Sequence, residues 1–194
     1  MSYTDPITEP IRAVRRSSGT ALLLVGVAAG IAVSVGLGVY GRLHDPTGSA
    51  INIAGFSSGI AAKAWLASLA FLLAIVQLVS AMVMYGRLPG VSRAPAWIGG
   101  LHRWSGRVAV LVTVPVAVHC LYALGFADYE PRVLVHSILG CFFYGAFVTK
   151  MVVLSAPRAP GWVLPVMGGL VFSALTGLWL TSSLWFFGTS GLVF

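Results

Sequence analysis

Residues 101–150 read LHRWSGRVAVLVTVPVAVHCLYALGFADYEPRVLVHSILGCFFYGAFVTK and hold three of the four histidines of the chain. Two apolar runs lie here, 108–126 and 133–154 (the second ending just past Lys150), joined by the short polar link 127–132. At ~1.5 Å of rise per residue, ~20 helical residues cover the ~30 Å hydrocarbon core of a bilayer, so each run is long enough to cross it. His119 falls late in the first run and His136 early in the second. Ionisable side chains at such depths are costly and usually functional, so two histidines on consecutive spans call for a shared purpose.

Working outward, the whole chain has the same character. Its 194 residues are 58% hydrophobic and only 9% charged, with a mean hydropathy of +0.92. A soluble domain of this size needs a more polar shell, so the chain reads as an all-α integral membrane protein. The net charge of +7 does not point to nucleic acid, because the basic residues fall in short loops rather than along one face. Residues 1–19 read as a cytoplasmic tail, with Arg12, Arg15 and Arg16, followed by a single transmembrane domain over 20–194. The first apolar run is longer than a signal-peptide core and lacks a clear cleavage site, which predicts that it is retained. Five spans follow, at about 20–40, 64–84, 108–126, 133–154 and 162–187, with spans two to five predicted to form a four-helix bundle of the haem-binding type.

Within the spans, Gly26 and Gly30 offer a small face for close helix approach, and Gln77 is expected to bond a neighbouring helix. Pro115 predicts a kink in the third span. Cys120 and Cys141, without C-x-x-C spacing, read as small core residues. Counting basic residues in alternate loops gives nine (Arg12, Arg15, Arg16, Arg87, Arg93, Arg103, Arg107, Lys150, Arg158) against three (Arg42, Lys63, Arg132). That asymmetry predicts a cytoplasmic N-terminus and an extracytoplasmic C-terminus in the plasma membrane. The five carboxylates, Asp5, Glu9, Asp45, Asp128 and Glu130, all fall in the tail or loops, which disfavours a transporter built on an intramembrane acid.

Depth sorts the candidate ligands into two levels. His119 and His136 both fall in the outer half of the bilayer. His102 precedes His119 by 17 residues, ~25 Å of helix, and Lys150 follows His136 by 14 residues, ~21 Å and within ~40° of the same face. A haem b between His119 and His136 fits the outer level, since bis-imidazole ligation suits electron transfer and Tyr122, Phe142, Phe143, Tyr144, Gly140 and Gly145 supply flat and small neighbours. Helices in direct contact lie ~8–10 Å apart, too close for a haem held edge-on, so the third and fourth spans must splay or lie diagonally. The six-residue link 127–132, up to ~20 Å when extended, permits this. At the inner level, Lys150, Arg103 and Arg107 can meet haem propionates or a quinone head, or snorkel to lipid phosphates, and His102 has no second histidine as partner. His44, in the loop after the first span, is a further candidate on the outer side.

At LHRWSGR, AVHC and VLVHS the sequence resembles the membrane b-type cytochromes of the cytochrome b561 and ferric-reductase-like group, and is most similar to a family of uncharacterised five-helix membrane proteins from actinobacteria. The resemblance covers roughly 62–187 and implies histidine-ligated haem between membrane helices. Lys150 stands where that group would carry a fourth ligand, so a single haem is expected, held by His119 and His136. The function so implied is electron transfer between a membrane or periplasmic donor and a partner protein, as an electron carrier or oxidoreductase subunit rather than a stand-alone catalyst. The alternative is a haem-free accessory or scaffold subunit of a respiratory-type complex.

Overall fold

A computed structural model describes residues 19–49, 55–91, 93–155 and 160–194. The basic tail with Arg12, Arg15 and Arg16, part of the first loop and the loop residue Arg158 lie outside the described residues. Among the described residues the fold is all-helical, and five helices are long and apolar enough to cross a membrane: α1 Gly19–Leu43, α2 Gly59–Met84, α3 Ile98–Leu124, α4 Pro131–Leu154 and α5 Val163–Ser190. The chain is a multi-pass membrane protein. In hydrocarbon each backbone N–H and C=O needs a partner within its own segment, and continuous helices are the way a single span provides one.

Two helices exceed the apolar runs that predict them. α2 starts at Gly59 rather than residue 64, capped by Ser58, whose Oγ accepts from the Ala61 N–H at 3.1 Å. α3 starts at Ile98 rather than residue 108, so His102, Arg103 and Arg107 lie on helix rather than in a loop. Hydropathy locates the lipid core and not the helix, and polar residues sit comfortably on a helical turn that projects beyond the hydrocarbon. α3 and α5 are not uniform. α3 becomes π-helical over His119–Leu124, one turn after Pro115, and α5 does so over Leu180–Leu184. Such wide turns recur at functional sites.

The helices do not pack in chain order. α1 lies on α4, α4 on α5, α5 on α2, and α2 on α3, while α3 and α4 stand apart although only a short link joins them. The predicted splay is therefore present, and α1 adds a fifth helix behind α4. The α1–α4 contact is made by two small stripes. Thr149 Oγ1 donates to the carbonyls of Gly26 (3.0 Å) and Gly145 (3.1 Å), and Ser34 Oγ donates to Cys141 O at 3.1 Å. A methyl group on Gly30 would collide with the Gly145 backbone and Thr149 Oγ1, and one on Gly145 would collide with Gly30 O and Ser34 Oγ. Packing at backbone distance supplies the van der Waals contact that holds helices together where no hydrophobic force acts between them.

α2 and α3 are joined differently, by polar side chains. Gln77 Nε2 donates to the His102 carbonyl and, at 2.7 Å, to Ser105 Oγ. The interhelix bond expected of Gln77 is present.

The α1–α4 stripe gives the first test. Gly30→Ala should lower stability in detergent by ~1–3 kcal/mol, the range for overpacking a tight contact. Gly36→Ala, where a methyl group meets nothing within 4 Å, should be neutral or slightly stabilising. Thermal unfolding followed by circular dichroism compares the two, and equal effects would argue against the close α1–α4 approach.

Candidate functional site

The space left between α3 and α4 is a cavity of about 410 Å³. α2 and α5 complete its walls, so spans two to five surround it, and Leu37 of α1 reaches its edge. It lies toward the end of the bundle where α2 and α4 begin and α3 and α5 finish. Toward the interior it reaches Phe143 and Tyr144, and Tyr144 spans the gap, its hydroxyl 3.1 Å from Thr113 O and 3.0 Å from Thr113 Oγ1. Lys63, Tyr129, Arg132 and Trp185 line it near that end of the bundle. The volume falls in the range of small-molecule and cofactor sites, and the walls are predominantly apolar with a few polar groups, as such sites are.

His136 lines this cavity. Its Nδ1 is 3.0 Å from Thr181 Oγ1. Thr181 has one hydroxyl proton, and its oxygen lies 2.7 Å from Gly177 O and 3.2 Å from Leu178 O, both on its own helix. With that proton committed, Thr181 accepts from Nδ1–H of His136, which leaves Nε2 with its lone pair. A ring nitrogen fixed in this way, with the other free to donate its lone pair, is the arrangement found in metal-ligating histidines. The π turn at 180–184 carries Thr181.

His119 behaves differently. It is buried, and its Nε2 has no hydrogen-bond partner. It lines a neighbouring void of about 30 Å³ with Gly59, Ala62, Lys63, Leu66, Pro115 and Val116, on the α2 side of α3. His119 and His136 therefore do not line one space in this structure. They occupy the same end of the bundle, and Lys63 acts electrostatically on both, but their rings line adjacent cavities. Lys63 and Val116 line both cavities and form the partition. The physical reason is that α3 packs on α2, which turns the 119 position toward that helix rather than into the gap. Cys120, the next residue, lines the large cavity instead.

The inner-level candidates lie far along the bundle from this cavity. His102 Nδ1 is 2.8 Å from Ser80 Oγ, whose hydroxyl is 3.1 Å from Gln77 O. By the same proton count Ser80 accepts from His102 Nδ1–H. Lys150 is half-buried on α4, near enough to act electrostatically on His102, so the two do share the inner end. Arg103 and Arg107 are exposed, and Arg107 lies 5.0 Å from the Trp104 ring centroid. That pose suits snorkelling at the membrane surface rather than a share in the cavity. His44 is also excluded from the cavity lining. Its ring is sandwiched between Tyr40 and Tyr122, at 5.1 and 4.9 Å, and its Nε2 lies 3.1 Å from Tyr122 O.

Three participants escape a reading based on histidines alone. Thr181 and Ser80 orient the rings, and Lys63 lines the cavity although it reads as a loop cation in the sequence. The available signal was hydroxyl residues inside apolar runs, where they bond across helices or back onto their own carbonyls. Among the described residues no three His, Cys, Asp or Glu side chains gather to hold a bare metal ion. Cys120 and Cys141 are free thiols.

No curated protein and no solved structure matches this chain. A family's sequence model matches residues 22–194, nearly the whole length, and the protein belongs to that family, DUF6529, a family of unknown function.

Proposed function

We propose that this protein is a membrane-bound b-type cytochrome that passes electrons between a membrane or periplasmic donor and a partner protein. The observation that carries the proposal is the cavity between α3 and α4, with His136 on its wall and that ring's Nδ1 engaged by Thr181. The likeness of LHRWSGR, AVHC and VLVHS to the b561-type cytochromes supports it.

The donor set fits a haem better than a bare ion. A protein-held metal ordinarily draws three or more ligands from the chain, whereas a macrocycle brings four nitrogens and asks for one or two axial side chains. His136 supplies one such side chain. The unpartnered Nε2 of His119 is the natural second, since a buried polar atom without a partner is costly and marks a missing contact. A haem held by both histidines requires the His119 ring to turn from the α2 side into the large cavity, which Cys120, the next residue of α3, already lines. Bound haem b supplies a one-electron Fe(III)/Fe(II) couple. The chain's own contribution is a low-dielectric wall, a fixed imidazole tautomer and a Tyr144–Thr113 strut that keeps the two helices apart. The His102 and Lys150 end is proposed as the face that meets a partner or a quinone head, its positive charge suited to anionic groups.

With nine basic residues on one side against three on the other, the cavity belongs on the extracytoplasmic side of the plasma membrane. Ser49 is exposed in the loop on that side, so Ser49→Cys should react with a membrane-impermeant maleimide on intact cells. Labelling only after permeabilisation would reverse the orientation.

The purified protein should show a reduced-minus-oxidised haem b spectrum with one haem per chain. His136→Ala and His119→Ala should each lose the haem, and His102→Ala should retain it. A colourless protein that copurifies with a stoichiometric membrane partner would replace the cytochrome with a scaffold subunit. Two haems per chain would bring His102 in as a ligand.

A further inference from the structure

Two cations reach the outer end of the cavity, and they differ in what they already hold. Arg132 is engaged on every side. Its Nε and Nη2 donate to Glu130 at 3.2 and 3.4 Å, its Nη1 donates to Thr181 O at 2.8 Å, and its guanidinium lies 3.9 Å from the Trp185 ring centroid. Lys63 has no ion-pair or hydrogen-bond partner among the described residues. Of the carboxylates on this side, Asp128 is taken by Arg42 at 3.0 Å and Glu130 by Arg132, while Asp45 is exposed in the loop. Lys63 also follows closely on the N-terminus of α2, a helix with no acidic residue in its first turn, so the positive end of the helix dipole adds to its charge. A cation on a predominantly apolar wall, without an ion-pair partner and near the positive end of a helix, is a prepared seat for an anion.

We infer that the cavity takes an apolar ligand bearing a carboxylate, and that Lys63 rather than Arg132 receives that carboxylate. The ligand's apolar body lies inward against Phe143 and Tyr144, and its acid group faces the outer end beside Lys63. In its porphyrin form the inference rests on the function proposed above, because a propionate is then the acid that Lys63 receives. The lining by itself asks only for a carboxylate on an apolar body.

The test compares acid with ester on the full-length protein in detergent, freed of any copurified ligand. Iron protoporphyrin IX and its dimethyl ester are titrated by absorbance. The acid should bind at least about 10-fold more tightly, as one charge-assisted hydrogen bond provides. Lys63→Gln should erase that preference, Lys63→Arg should restore most of it, and Arg132→Gln should leave it intact. Equal binding of acid and ester by the wild type overturns the inference while leaving the haem reading standing, as does a preference that survives Lys63→Gln or vanishes with Arg132→Gln. If neither porphyrin binds, the haem reading fails, and a fluorescent polyene fatty acid with its methyl ester takes their place. An acid preference that depends on Lys63 then supports the carboxylate seat for an acyl ligand, and no preference removes it.

Discussion

The gap between α3 and α4 exists because each helix is held from behind. In lipid no hydrophobic force draws two apolar helices together, so close packing and polar contacts decide which surfaces meet. α4 is committed to α1 through Gly30, Gly145 and Thr149, where backbones approach too closely to admit a methyl group. α3 is committed to α2 through Gln77 and Ser80, which grip the His102 carbonyl and ring. With both helices engaged on their far faces, Tyr144 spans the remaining distance to Thr113 as a strut. Removing either commitment would free a helix to close the cavity, so the site depends on contacts well outside it.

His102 and His136 share a construction. In each, a hydroxyl on a neighbouring helix donates its proton to a carbonyl of its own helix and accepts the imidazole Nδ1–H. Ser80 does this for His102 and Thr181 for His136. The device fixes the tautomer with neutral groups alone and brings no acid into the lipid core, where a buried carboxylate would be costly. It suits a chain whose carboxylates all lie outside the spans.

Much of this was legible in the sequence. Hydropathy located the five spans, Gly26 and Gly30 announced a close helix contact, and the need to hold something between His119 and His136 implied splayed helices. Two kinds of information were missing. The beginnings of α2 and α3 project beyond the apolar runs, and nothing in hydropathy distinguishes a polar helical turn from a polar loop. The direction of His119 was also hidden, since one residue turns a helix by ~100° and a π turn changes the phase again. Only the choice of α2 as the packing partner of α3 determines which way that ring faces. The role of Lys63 is hidden for a related reason. Its place before an apolar run suggested a loop, whereas the helix that starts at Gly59 carries it to the cavity wall.

The α1–α4 stripe joins segments far apart in the chain, with Ser34 and Cys141 separated by 107 positions and Gly26 and Thr149 by 123. A ribosome adds roughly 5–20 residues each second, so α1 waits on the order of 5–25 s in the bilayer before its partner emerges. The helix can tolerate that delay, since its backbone bonds are already satisfied internally. The second and third helices meet during the wait, joined by residues only 25 positions apart. Assembly of the bundle is thus ordered in time by the chain itself, with the cavity enclosed last, when α4 and α5 arrive.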